Sequence, residues 1–153
     1  MAFIPTALNL PEHAFRITLK ENQHYIFDEI RKKHLVLTPE EWVRQHFIQF
    51  LIKVKGFPKS LIQIEGGLNL NRLQKRTDIV IFNTRGERIM IIECKAPKVK
   101  ITQATFDQAA RYNSVHKTGW LVVTNGLTHC YAQIDHKQEK FLFVQELPEY
   151  LNL

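Results

Sequence analysis

Residues 76–97 read RTDIVIFNTRGERIMIIECKAP, and this stretch decides how the rest of the chain is read. Two apolar runs flank a turn that contains Gly86, the pattern of a β-hairpin. Ile79 and Ile81 point one way and Val80 and Phe82 the other. Ile89 and Ile91 likewise alternate with Met90 and Ile92. Both faces are apolar, so the hairpin belongs in the middle of a sheet covered on both sides. Yet Asp78 opens the first run, and Glu93 and Lys95 close the second.

The turn sets the meaning of those charges. A loop of two residues (Arg85, Gly86) or four (Thr84 to Glu87) gives cross-strand pairs whose numbers sum to 171. Asp78 then faces Glu93, with Cβ atoms about 5 Å apart, and Lys95 shares their face. A three-residue loop with a bulge at Gly86 shifts the register by one and parts the two acids. Opposed carboxylates in a covered sheet are destabilising and costly to bury. A divalent cation held by oxygen ligands would offset that cost, and Mg²⁺ is commonly held by one or two carboxylates plus substrate phosphate. The plainer alternative is a solvated ion pair of Lys95 with Glu93 or Asp78.

Outward from the hairpin, AFRITL (14–19) and HYIFDEI (24–30) read as a short leading β-hairpin. TPEEWVRQHFIQFLIKVKG (38–56) reads as a helix, with Thr38 as N-cap, Pro39 first and Glu41 third. Val43, Phe47, Phe50, Leu51 and Val54 form its core stripe, and Gly56 and Pro58 end it. SLIQIE (60–65) is a candidate strand, followed by a basic Gly- and Asn-rich stretch. Beyond the hairpin, TQATFDQAARYNSVHK (102–117) reads as a second helix. GWLVVT, THCYAQI and KFLFVQEL read as three further strands. The expected fold is α/β, a mixed central sheet flanked by helices. A single domain over 1–153 is expected, with an N-terminal hairpin extension (1–37) and a core over 38–146.

The composition is that of a soluble globular chain: 44% hydrophobic and 24% charged. No apolar run approaches membrane-span length. The start, MAFIPTALNLPEHAF, lacks the pattern of a signal peptide, so a cytoplasmic protein without a membrane partner is expected. Cys94 and Cys130 are too few for a disulfide framework. The seven histidines show no zinc spacing, and no Gly-rich phosphate loop is present. The net charge of +6, clustered at Arg31–Lys33, at Arg72, Lys75 and Arg76, and at Lys95, Lys98 and Lys100, favours an anionic partner.

The TDIVIF…ECK pattern resembles the PD-(D/E)XK nuclease signature: an acid on one strand, then E-x-K on the next. IFDEIRKKHLVLTPEEWVRQHFIQFLI, RTDIVIF, IIECKAP, FDQAARYN and LVVTNG, in that order, resemble the N-terminal nuclease domain of type I restriction enzyme R subunits. The resemblance covers roughly residues 24 to 130. It departs at Thr77, where proline is frequent, and in the lack of a helicase motor.

The resemblance implies a restriction-endonuclease-like fold and a Mg²⁺-dependent (or Mn²⁺-dependent) DNA endonuclease. Asp78, Glu93 and the backbone carbonyl of Cys94 would be metal ligands, with Glu41 helping to hold the metal or its waters. Lys95 would orient the attacking water or stabilise phosphate charge. Gln108 and Tyr112 match a Q-x-x-x-Y pattern and would contact DNA backbone or steady the lysine. Arg72, Lys75, Arg76, Lys98 and Lys100 would bind DNA, and a separate helicase or restriction-system subunit is an expected partner. Other roles stay open. Glu41 can complete a capping box with Thr38, Gln108 can do so for Thr105, Tyr112 can be core, and Glu65 can be an ordinary strand-end charge. The alternative function is a non-catalytic DNA-binding or assembly module.

Overall fold

The computed structural model describes residues 5–65 and 79–153. Asp78, Arg72, Lys75 and Arg76, all expected in the site, lie outside the described residues. The N-terminal part forms β1 (Ile17–Lys20), β2 (Gln23–Asp28) and β3 (Lys33–Val36), a three-stranded antiparallel sheet with β2 in the middle. The expected hairpin is therefore one strand short. Strand β3 is only four residues long and mostly exposed, so it carries no apolar alternation to announce it. Its turn is set by Asp28, whose Oδ1 accepts from the backbone N–H groups of Ile30 and Arg31.

Helix α1 (Pro39–Lys53) starts where expected: Thr38 Oγ1 accepts from Glu41 N at 3.0 Å. Its core stripe is Val43, Phe47 and Leu51, all fully buried, with Ile48. Val54, expected in that stripe, is the C-cap and is 46% exposed. Gly56, at φ +71°, turns the chain out of the helix, and Phe57 N donates to Leu51 O.

A six-stranded sheet follows, in spatial order β4 (Ile62–Ile64), β5 (Ile79–Phe82), β6 (Arg88–Cys94), β7 (Trp120–Thr124), β8 (His129–Asp135) and β9 (Lys140–Val144). Among the described strands only β6 and β7 run parallel, and α2 (Gln103–His116) connects them. Each helix covers one face. Helix α1 packs on Ile79, Ile81, Met90, Ile92, Cys94, Val122 and Tyr131. Phe106 and Ala109 of α2 pack on Ile91, Leu121, Val123 and Ala132. The expected α/β layering and mixed sheet are present. Helix α2 is capped by Thr102 and Thr105 reciprocally, so Gln108 plays no part in that box.

The hairpin reaches its register by an unexpected route. Ile79 pairs with Ile92, Val80 with Ile91 and Ile81 with Met90, each summing to 171. The turn itself is of the three-residue kind: Asn83 N donates to Glu87 O, and Gly86 sits at φ +80°. That turn alone would part the register, since Phe82 pairs with Arg88. A bulge between Ile81 and Phe82 takes up Ile89 as the extra residue and restores the sum. Loop length and strand register were therefore two separate questions.

Candidate functional site

The charged end of β6 is built by alternation. Ile91 packs under α2, and Glu93 follows it on that face at the strand end. Lys95, just past the strand, returns to Glu93: Nζ lies 2.8 Å from Oε1. The side chains are only 18% and 12% exposed, so the pair is shielded from water on most sides. A pair so placed is stronger than a surface pair and costs more to desolvate. Cys94, between them, points to the opposite face and is buried against α1.

The backbone here is fixed by the neighbouring parallel strand. Glu93 pairs with Val123 and Cys94 with Thr124, and Lys95 N donates to Thr124 O at 2.7 Å. Carboxyl ends of adjacent parallel strands are where α/β sheets place ligands, because the connections diverge there. The loop that follows carries Lys98 and Lys100, both exposed. Gln108 is exposed and Tyr112 half-buried on α2, the helix that covers the Glu93 face. The Tyr112 ring lies 5.1 Å from that of His116. Glu65 follows the short edge strand β4.

Glu41 sits in a different setting. Its oxygens accept from Arg44 Nη1 and, at 2.8 Å, from Gln45 Nε2. Gln45 Nε2 also donates to Asp28 Oδ2, which accepts from Arg31 Nε at 2.8 Å. This network ties α1 to the N-terminal sheet around Asp28, which is wholly buried. The Thr38 cap is only half a capping box, since the Glu41 carboxylate is directed to Arg44 and Gln45. Among the described residues, no group of three or more His, Cys, Asp or Glu is placed to hold a metal.

Two residues near the site carried no role in the sequence reading. Asn125 is 5% exposed, and its amide donates to Val99 O in the lysine loop at 2.8 Å. His129 bridges Thr124 Oγ1, at 2.7 Å from Nδ1, and Asn9 O, at 2.9 Å from Nε2. Since Asn9 O can only accept, Nε2 carries the proton and Nδ1 accepts from the Thr124 hydroxyl in the neutral ring. Burial lowers the His129 pKa, partly countered by the bond to Asn9. The bond reaching 26 residues back to Val99 leaves no local signal in the sequence.

The sheet, covered on each face by a helix, defines an α/β domain. The family model described as "Type I restriction enzyme R protein N terminus (HSDR_N)" matches residues 39–148, more than half of the chain. The chain belongs to that family. A solved structure, described as the fragment structure of an HsdR subunit of a type I restriction enzyme from Vibrio vulnificus YJ016, is similar with a TM-score of 0.51. The two are 20% identical, and the match covers 76% of this chain and 25% of that one. This likeness concerns the fold alone, and the present chain spans about a quarter of that chain's length. No curated protein matches the chain. Among the described residues no helix is long and apolar enough to cross a membrane.

Proposed function

We propose that the domain is a Mg²⁺-dependent DNA endonuclease with a restriction-endonuclease-like fold, working in a restriction system. The observation that carries this reading is the shielded Glu93–Lys95 pair at the end of β6, in a hairpin whose register sums to 171. One further pair on that register would set Asp78 opposite Glu93. The donor set of two carboxylates and a strand-end carbonyl, Asp78, Glu93 and Cys94, is all oxygen, the chemistry that suits Mg²⁺ (Mn²⁺ is the alternative). When bound, the ion would polarise a phosphoryl oxygen and lower the pKa of a bound water. Glu41 would act on the ion's waters, because its own oxygens already accept from Arg44 and Gln45.

Lys95 does the work that a fixed cation can do. Its ammonium orients the attacking water or meets the negative charge that grows on the phosphate, where electrostatic stabilisation is worth most. Gln108 and Tyr112 contact the DNA backbone or steady Lys95 from α2. Lys98 and Lys100, with Arg72, Lys75 and Arg76, track phosphates without reading bases. A separate motor or restriction-system subunit is the partner this reading implies.

The test is nicking of plasmid DNA with Mg²⁺ or Mn²⁺, alongside thermal melts with and without metal. Cleavage, with a metal-dependent rise in Tm, is expected of the wild type. DNA binding with neither cleavage nor a metal-dependent shift would replace the enzyme by a non-catalytic DNA-binding or assembly module.

A further inference from the structure

The loop after β6 is short, exposed and crowded with like charge: Lys95, Lys98 and Lys100 stand within six residues. Like charges this close repel one another weakly in water, so backbone hydrogen bonds set the path of the segment. Lys95 N donates to Thr124 O at 2.7 Å, Val99 N closes a turn onto Ala96 O, and Thr105 Oγ1 reaches Lys100 O at 3.3 Å. Between the two lysines of its tip, Asn125 Nδ2 donates to Val99 O at 2.8 Å, a bond that crosses from the β7–β8 turn.

The rest of the Asn125 amide is spent on holding its own turn. Its Oδ1 accepts from Leu127 N at 2.9 Å and Thr128 N at 2.7 Å, and its backbone N–H donates to Thr128 O. Two N–H groups on Oδ1 fix which end of the amide is the oxygen, so the nitrogen must face Val99. Gly126, next in line, sits at φ +85° and accepts from Asn9 N at 2.8 Å, which anchors the turn to the N-terminal segment. The turn is thus a rigid block, and Asn125 is the arm it extends to the loop.

We infer that Asn125 is a positioning residue, holding the Lys98–Lys100 tip so that both ammonium groups meet neighbouring phosphates of a DNA backbone. The inference rests on the reading of Lys98 and Lys100 as DNA contacts. It adds a residue between β7 and β8 that governs binding without touching the nucleic acid.

Asn125→Asp is the discriminating variant. It keeps both acceptor bonds of the turn, removes the donor to Val99 and sets a carboxylate oxygen against the Val99 carbonyl. Hydrogen exchange should quicken across residues 96–101 and stay unchanged in the sheet core, with a fall in Tm from the buried charge. Binding to labelled duplexes of unrelated sequence should weaken equally on all of them. The slope of log affinity against log salt should fall by about 1 for each phosphate that the tip no longer neutralises. The same substitution is then made where Lys98 and Lys100 are both alanine. There it should have little further effect, because the tip it positions is gone. Unchanged exchange in the loop would overturn the inference. So would equal weakening in the alanine background, which would mean that the new carboxylate repels DNA directly. Wild-type protein that binds no duplex even at low salt would overturn the DNA reading as well, whereas normal binding by Asn125→Asp overturns the positioning role alone.

Discussion

Two charged clusters, one at the start of α1 and one at the end of β6, differ in how they are built. At the start of α1, Asp28, Arg31, Glu41, Arg44 and Gln45 share bonds around a carboxylate with no exposure. Asp28 accepts from two backbone N–H groups, a guanidinium and an amide. At the end of β6, Glu93 Oε1 meets Lys95 Nζ at 2.8 Å beside the parallel strand β7. A cluster that uses its oxygens internally holds structure together. A pair at the carboxyl end of a strand, beside a parallel neighbour, stands where a ligand has access. The two clusters are therefore expected to fail in different ways.

The largest effect should fall on turnover at the β6 end. Lys95→Ala should lower cleavage about 10²–10³-fold, the usual loss when a preorganised charge is removed from a transition state. Glu93→Gln should abolish cleavage and with it the metal-dependent rise in Tm, read by plasmid nicking and paired melts. A large fall in Tm in the absence of metal, in either variant, would erase the contrast with the α1 cluster. At that cluster the effect should fall on stability. Asp28→Ala leaves Arg31 and Gln45 without their central acceptor and should cost about 3 kcal/mol, the scale for breaking a buried pair from one side. Urea unfolding measures it. Cleavage per folded molecule should persist, and a selective loss of activity would break the division of labour.

Smaller is the response to acid. Burial is the leading cause that lowers the pKa of His46 and of His129. A depressed folded value means that the native state prefers the neutral ring. Their contribution is fully present above the ordinary histidine value of about 6.5 and is lost as pH falls below it. Melts should be level from pH 7 to 8 and decline from about pH 6.5 downwards. A Tm that rises on acidification across that range would contradict the assignment of neutral, buried rings. The smallest effect belongs to a position in neither cluster. Lys117 caps α2 in the left-handed region, at φ 53° and ψ 44°. Lys117→Gly should stabilise by about 1 kcal/mol without altering cleavage.

The amino-acid sequence by itself determined the elements whose signals are local. Thr38 with Pro39 started α1, and the apolar runs at 79–82 and 89–92 placed a covered hairpin in the sheet. The E-x-K spacing brought Glu93 and Lys95 to one strand end. Each of these depends on residues a few positions apart, where periodicity and capping chemistry act directly. What only the tertiary structure decided depends on residues far apart. Strand β3 exists because β2 offers it an edge, not because KHLV alternates. The hairpin register depends on a bulge at Ile89 that offsets its own turn. The carboxylate of Glu41 is directed by Gln45 and Arg44 rather than by its cap. Asn125 reaches Val99 because the parallel pairing of β6 and β7 brings two strand ends together. A hydrogen bond needs its partner within about 3 Å. Spacing along the chain supplies that distance for neighbours, and only packing supplies it for the rest.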